Sequence, residues 1–267
     1  MSQAHKIIKY VALAFAICII VSIINFGVML FDTISNGINN NHKVSSEILK
    51  LEKDSSKNVL DIKVRSAKVT IKEGTTLDAK TDSKYITIKK KNNKLIIREK
   101  KHSFKKKDDV TITIPSDVVF DGVSIITGSG KLKASKISTD ILDISCGVGK
   151  ATFANLIANK KVTIEAGVGD FNINNGVLKN ATIELGVGSV NVTAKLLGKA
   201  HIEAGVGEVN LSLIGSKGDY SINAEKGLGS ITLDGKEISS EETYGAGANI
   251  IDVEGGVGSI NIKYLEN

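Results

Sequence analysis

The sequence predicts an all-β protein: a single-stranded β-solenoid (β-helix) of about six to seven coils with a β capping module, preceded by one N-terminal transmembrane helix. Three observations predict it. A Gly-Val-Gly signature or a near variant returns at Gly128-Ser-Gly130, Gly147-Val-Gly149, Gly167-Val-Gly169, Gly186-Val-Gly188, Gly205-Val-Gly207, Gly227-Leu-Gly229 and Gly256-Val-Gly258. From first glycine to first glycine the spacings are 19, 20, 19, 19, 22 and 29 residues, the period of stacked units. Around each signature apolar residues recur two apart, the period of a strand with one buried face. Far upstream, residues 10–31 contain no charged side chain.

In chain order, residues 1–9 form a short basic tail holding His5, Lys6 and Lys9 and no acidic residue. Tyr10 through Phe31 follow; at about 1.5 Å per residue this run spans roughly 33 Å, enough for a hydrocarbon core. A cleaved signal peptide is the rival, but its apolar region is shorter and ends at a small-x-small site, which Phe31-Asp-Thr-Ile-Ser35 does not offer. Ile17 before Cys18 argues against a lipoprotein site. The segment therefore reads as an uncleaved signal anchor in the lipid bilayer. Flanking charge puts the N-terminus in the cytoplasm and everything after Asp32 outside, a single-pass cell-membrane protein with an extracellular C-terminal domain.

Residues 32–58 are polar, with Asn39-Asn-Asn41 and several serines, and read as a tether. A short helix around Ser45 to Lys53 is the alternative, on the weak stripe Ile48, Leu49 and Leu51. From Val59 strand alternation begins: Leu60, Ile62 and Val64; Val69 and Ile71; Ile86 and Ile88; Leu95 and Ile97; Val110, Ile112 and Ile114. Asn92-Asn93 reads as a hairpin turn between two of these runs. Lacking the glycine signature, residues 59–121 read as a module that caps the first coil.

Residues 122–267 are the repeats. Leu142, Val162, Ala181 and Ala200 form one column; Ile144, Ile164, Ile183 and Ile202 the next; Cys146, Ala166, Leu185 and Ala204 a third; Val148, Val168, Val187 and Val206 a fourth, all expected inside. After the signature the phase slips by one, to Phe171 and Ile173, Val190 and Val192, Val209 and Leu211, so the backbone must turn there, and glycine permits it. Each unit then reads as strand, glycine corner, strand, second corner. The last coil is expected at Ile251 to Ile262, after a polar loop over 235–249.

Composition agrees with long paired strands: one proline, no Trp and 26 Gly in 267 residues. Residues 1–122 hold 22 Lys+Arg against 13 Asp+Glu, and residues 123–267 hold 13 against 16, so a basic first half precedes mildly acidic repeats. Two cysteines make no disulfide framework, and Cys146 reads as a packing thiol.

The succession Leu60-Asp-Ile-Lys-Val64, Val69-Thr-Ile-Lys72, Lys94-Leu-Ile-Ile97 and Val110-Thr-Ile-Thr-Ile-Pro115, then Val123-Ser-Ile-Ile-Thr-Gly-Ser-Gly130 and the repeats, resembles the putative-adhesin β-strand-repeat family of bacteria, domain of unknown function 4097. The resemblance covers roughly residues 59–263. It implies a β-repeat scaffold, often with an N-terminal membrane anchor and associated with the cell envelope, and it brings no catalytic or ligand residues. The chain departs from the family's commoner Gly-Ser-Gly, and valine in that place implies a drier corner.

Outward columns are where binding is expected. Glu165, Glu184, Glu203 and Glu254 share one position, and Asn172, Asn191, Asn210 and Asn261 another. The glutamates either fan into water or hold a cation or basic partner; the asparagines read as a hydrogen-bonded side-chain ladder. Between Lys80 and Lys107, 12 Lys+Arg face only Asp82 and Glu99. The candidate polyanion-binding residues are Lys84, Lys89, Lys90, Lys91, Lys94, Arg98, Lys100, Lys101, Lys105, Lys106 and Lys107. Outside a membrane their partners would be anionic wall polymer or lipid headgroups. The rival reading is a lysine-guarded edge strand. The anchor's orientation argues against nucleic acid, and an envelope protein is a further partner class. Scattered histidines (His5, His42, His102 and His201), no Arg in the repeats and no phosphate-loop spacing point away from an enzyme, a metal site or a cofactor. A carbohydrate-active enzyme ranks last. The chain reads as a non-catalytic structural, adhesive or envelope-associated scaffold, with polyanion binding through 80–107 as the alternative.

Overall fold

A computed structural model describes residues 58–100, 108–240 and 242–266, together with the backbone of 46–49. Among these residues the chain is all-β, with one short 3-10 turn at Lys217–Asp219. The strands are β1 (Ser46–Leu49), β2 (Val59–Val64), β3 (Lys68–Gly74), β4 (Leu77–Thr81), β5 (Ile86–Lys91), β6 (Lys94–Glu99), β7 (Asp109–Pro115), β8 (Phe120–Thr127), β9 (Lys131–Ile173), β10 (Gly176–Lys179), β11 (Ala181–Leu197), β12 (Lys199–Ile214), β13 (Tyr220–Leu233), β14 (Lys236–Glu237), β15 (Thr243–Tyr244) and β16 (Asn249–Leu265).

Parallel ladders stack the repeats in register. Ile183 pairs with Ile164 on one side and Ile202 on the other, and all three are fully buried. The interior columns of the repeat therefore do lie over one another, giving a solenoid-like stack. Each repeat bends once at its glycine signature into two legs. In β11, Ala181, Ile183 and Leu185 point inward before the corner and Val190, Val192, Ala194 and Leu196 after it. A second turn closes the unit at residues such as Asn180 (φ 50°) and Gly198 (φ 73°). The buried residues of both legs form one continuous core, with Phe153 and Phe171 rings 5.6 Å apart inside it.

The signature's fourth column is not inside. Val148, Val168, Val187, Val206, Val257 and Leu228 are between 37% and 55% exposed. The reason is how closely the rungs approach at the corner. A Cβ on Gly188 would stand 2.0 Å from the carbonyl oxygen of Gly169, and one on Gly207 1.8 Å from that of Gly188. With both flanking glycines turned against the neighbouring backbone and the second at φ 133° or more, the residue between them sits on the convex side of the bend. Valine there makes a ridge in water, so the expected drier corner does not form.

The segment 59–121 is part of the stack as well as its cap. β2 lies parallel between β6 and β8, and β3 lies parallel between β7 and β9. Arg65-Ser66-Ala67 takes the place of a glycine corner: Gly128 and Gly130 stack on the Arg65 and Ala67 carbonyls. Glu99, buried, supplies what this corner lacks. Its Oε2 accepts the N–H groups of Arg65 (2.7 Å), Ser66 (3.0 Å) and Ala67 (3.2 Å), and its Oε1 accepts the Ser66 hydroxyl at 3.1 Å. Beyond β6–β7 the capping is antiparallel: β5 on β6, β4 on β7, and β1 on β4. The pairing of β1 puts a strand where the helix alternative around residues 45–53 stood and inside the span read as a tether. Its four backbones complete the edge of β4 instead.

The far end departs from chain order too. β16 inserts between β12 and β13, so it is not the outermost coil; β13 is, and β14 and β15 pair antiparallel with its two ends. In stack order the second glycines run Gly188, Gly207, Gly258, Gly229. No helix among the described residues is long and apolar enough to cross a membrane, and residues 10–31, read as the anchor, lie outside them.

Candidate functional site

The basic hairpin forms at the place the alternation assigned it. Asn92 at φ 53° makes the tight turn, and Lys91 pairs with Lys94 directly across it. Lys84, Lys89, Lys90, Lys91 and Lys100 are exposed, and the Lys84 ammonium lies 5.2 Å from the Tyr85 ring centre. Lys94 and Arg98 are committed inward to the chain itself: both reach Asp61 Oδ2, each at 2.6 Å. Burial would raise the Asp61 carboxyl, but hydrogen bonds and charge from Arg98 and Lys94 hold it below the usual carboxylate range. Lys101, Lys105, Lys106 and Lys107 lie outside the described residues. β5 pairs with β6 along one edge, so its three consecutive lysines line the outer strand of the first leg.

The stack aligns the outward columns. Glu165, Glu184, Glu203 and Glu254 lie in adjacent rungs, and Glu225 of β13 extends them by one. Adjacent rungs are about 4.8 Å apart, so neighbouring carboxylates feel one another. Burial, then Glu184 and Asp143, push the Glu165 carboxyl up. Burial, then Glu254 and Glu184, push Glu203 up against the opposing effect of His201, whose Nε2 is 3.8 Å from Glu203 Oε2. Among the described residues no group of His, Cys, Asp and Glu is disposed to hold a metal ion.

The asparagine column is a hydrogen-bond ladder. Asn191 Nδ2 donates to Asn172 Oδ1 (3.0 Å), Asn210 to Asn191 (2.9 Å), Asn261 to Asn210 (2.9 Å), and the Thr232 hydroxyl to Asn261 Oδ1 (3.0 Å). Each amide both donates and accepts, which fixes its orientation along the stack. Cys146 packs against the core as a free thiol that burial pushes up, opposed by a hydrogen bond with Thr127. A raised thiol is a poor nucleophile.

Two surface features escaped sequence reasoning. One is the exposed ridge of signature valines. The other is an open saddle of about 400 Å³ at the start of β11, bordered by Lys160, Lys161, Lys199 and His201 over Asn180 and Thr182. Its residues are separated by about 20 positions in sequence, and only the repeat period, applied to the second corner rather than to the signature, could have grouped them.

These features define a class: an all-β repeat scaffold with capped ends, whose outward residues fall into straight columns. The Toastrack DUF4097 family model matches residues 57–253, and the chain belongs to that family. Among solved structures it is similar to a putative cell adhesion protein from Clostridium sporogenes at 20% identity, covering 84% of this chain and 100% of that one, with a TM-score of 0.37. It is also similar to a putative adhesin from Parabacteroides distasonis at 14% identity, covering 83% and 98%, TM-score 0.44. A putative lipid binding protein from the same organism aligns at 14% identity over 84% and 98%, TM-score 0.36. No curated protein matches the chain.

Proposed function

We propose that this protein is a non-catalytic display scaffold of the cell envelope, held at the membrane by residues 10–31 with its β body outside. One observation carries the reading: the unbroken in-register stack from β6–β7 to β13, with antiparallel strands at both ends. Such a body is stiff along its axis and repeats each outward side chain at a fixed interval, the property a surface that engages an extended or repetitive partner needs. Its test is cellular. In intact cells, protease added outside should release the β body while residues 1–9 stay with the membrane; a full-length chain recovered uncleaved from the soluble fraction refutes the anchor.

A second reading rests on Lys89, Lys90 and Lys91, exposed side by side on the outer strand β5. They guard that edge against pairing with other chains, and the same charges suit an anionic wall polymer or lipid surface at roughly 1 kcal/mol per cation. Co-sedimentation with anionic vesicles or wall preparations across a salt series distinguishes the two. Salt-dependent binding lost in the triple variant K89Q/K90Q/K91Q supports it; binding that ignores both removes it.

A further inference from the structure

We infer that the saddle at the start of β11 is a binding site for phosphate groups, separate from the basic hairpin. Its rim is cationic on both sides of a low floor. Lys160 and Lys161 precede the rung that begins at Val162, Asn180 and Thr182 open the next, and Lys199 and His201 open the one after. Across two rung spacings the backbones of the two sides stand about 10 Å apart, so the saddle between them is open to a small anion. The floor is kept low by Asn180, whose side chain lies along the stack: Nδ2 donates to the Lys160 carbonyl at 3.1 Å and Oδ1 accepts the Lys199 N–H at 3.4 Å.

No carboxylate lines the saddle, although the repeats as a whole are acidic. The acids that touch its lysines belong to the rungs beyond: Asp140 holds Lys160 at 2.7 Å, and Asp252, in β16, holds Lys199 at 3.3 Å. An ammonium has three donors and each ion pair uses one, so the carboxylates orient the lysines while leaving donors for a ligand. Lys161 makes no ion pair among the described residues and is exposed. Exposed lysine pairs of this kind hold little energy, so a phosphate can compete for them. A volume of about 400 Å³ exceeds one phosphate, which points to a phosphoryl group carried on a larger molecule, either a lipid headgroup or a soluble phosphodiester chain.

The test uses the full chain and three probes: inorganic phosphate, soluble polyphosphate, and phosphatidylglycerol vesicles against phosphatidylcholine vesicles. Calorimetric titration should show saturable phosphate binding that weakens about tenfold or more in K161Q/K199Q, as expected for losing charge-assisted contacts. K161Q alone, which disturbs no ion pair, should weaken it severalfold, and K89Q/K90Q/K91Q should leave it within twofold. With the chain held in phosphatidylcholine vesicles, phosphate affinity that falls when phosphatidylglycerol is mixed into the bilayer assigns the lipid source; phosphate affinity that falls only on adding soluble polyphosphate assigns the soluble one. Unchanged affinity in both saddle variants, or no binding of any probe by the wild type, overturns the site. Because the hairpin variant is measured beside them, loss there with the saddle variants unaffected would move binding to the hairpin and equally overturn this proposal.

Discussion

Gly188→Ala tests the corner on which the whole stack depends. Gly188 sits at φ 133°, where an L side chain is strained by about 1–3 kcal/mol. Its added Cβ would stand 2.0 Å from the Gly169 carbonyl oxygen and 2.9 Å from the carbonyl carbon, whereas ordinary contact needs about 3.4 Å. The two rungs must part by more than an ångström at that point, weakening at least one inter-rung hydrogen bond worth about 1 kcal/mol net. Together these give about 2–4 kcal/mol of destabilisation. Gly122→Ala is the matched control: its Cβ meets nothing within 4 Å and its φ is not positive, so the change should be neutral or stabilise by a few tenths of a kcal/mol. Chemical unfolding followed by far-UV circular dichroism, with amide exchange to locate the loss, measures both. Equal unfolding midpoints for Gly188→Ala and wild type would refute the argument that backbone approach, rather than turn flexibility, demands the glycines.

Other expectations follow from the same contacts. Glu99→Ala leaves three backbone N–H groups without their acceptor and should cost about 3 kcal/mol or more; Glu99→Gln, which keeps one acceptor oxygen, should cost less, and thermal melts of the two variants decide the order. Asn191→Ala breaks two rungs of the amide ladder and should cost about 1–2 kcal/mol, whereas Val187→Ser on the exposed ridge should stay within about 0.5 kcal/mol, read from denaturant midpoints. Glu165 and Glu203 bind protons more tightly folded than unfolded, so the stability they contribute is present below the ordinary glutamate value and is lost as pH rises through their raised values. Glu203→Gln should therefore be more stable than wild type at neutral pH, with the advantage vanishing on acidification. Asp61 has the opposite sign: its lowered value makes its contribution present at neutral pH and lost only in strong acid, so Asp61→Asn should destabilise at pH 7 and not below its folded value.

What the sequence could tell about this fold was whatever repeats with the period of the stack. Ile164, Ile183 and Ile202 show as a column because each rung offers an equivalent buried place, and the amide ladder shows because an asparagine needs another asparagine on either side. Period-2 counting misplaced the signature valines, since it assumes a regular strand and the bend at Gly188 is not one. The segment 59–121 was set apart because it lacks glycine corners, and nothing local tells that a glutamate more than thirty residues downstream, Glu99, does the same work at Arg65–Ala67. The phosphate saddle was hidden for a related reason: its lysines mean little singly, and they converge only after the second corners of three rungs are aligned.

The rung order places β2–β3 and β16 inside the described stack, with other strands outside them. An outermost rung has a bare edge that needs covering. β13 is followed directly by β14 and β15, which pair antiparallel with its two ends. Placing β13 outside and β16 within thus satisfies the edge with strands the chain already has nearby. At the opposite end β4 and β5 stand between β3 and β6 in sequence and cover β7 and β6, leaving β2–β3 inside by the same logic. The outward columns follow from this arrangement. Asn261, which must donate on one side and accept on the other, lies in the interior rung, and Thr232, which need only donate, lies at the end. Were the rungs in chain order, the shorter threonine would have to bridge two asparagines and the ladder would lose reach at its last step. The irregular spacing of 29 residues is therefore the trace in sequence of a cap, β14 and β15, built into the chain between β13 and β16.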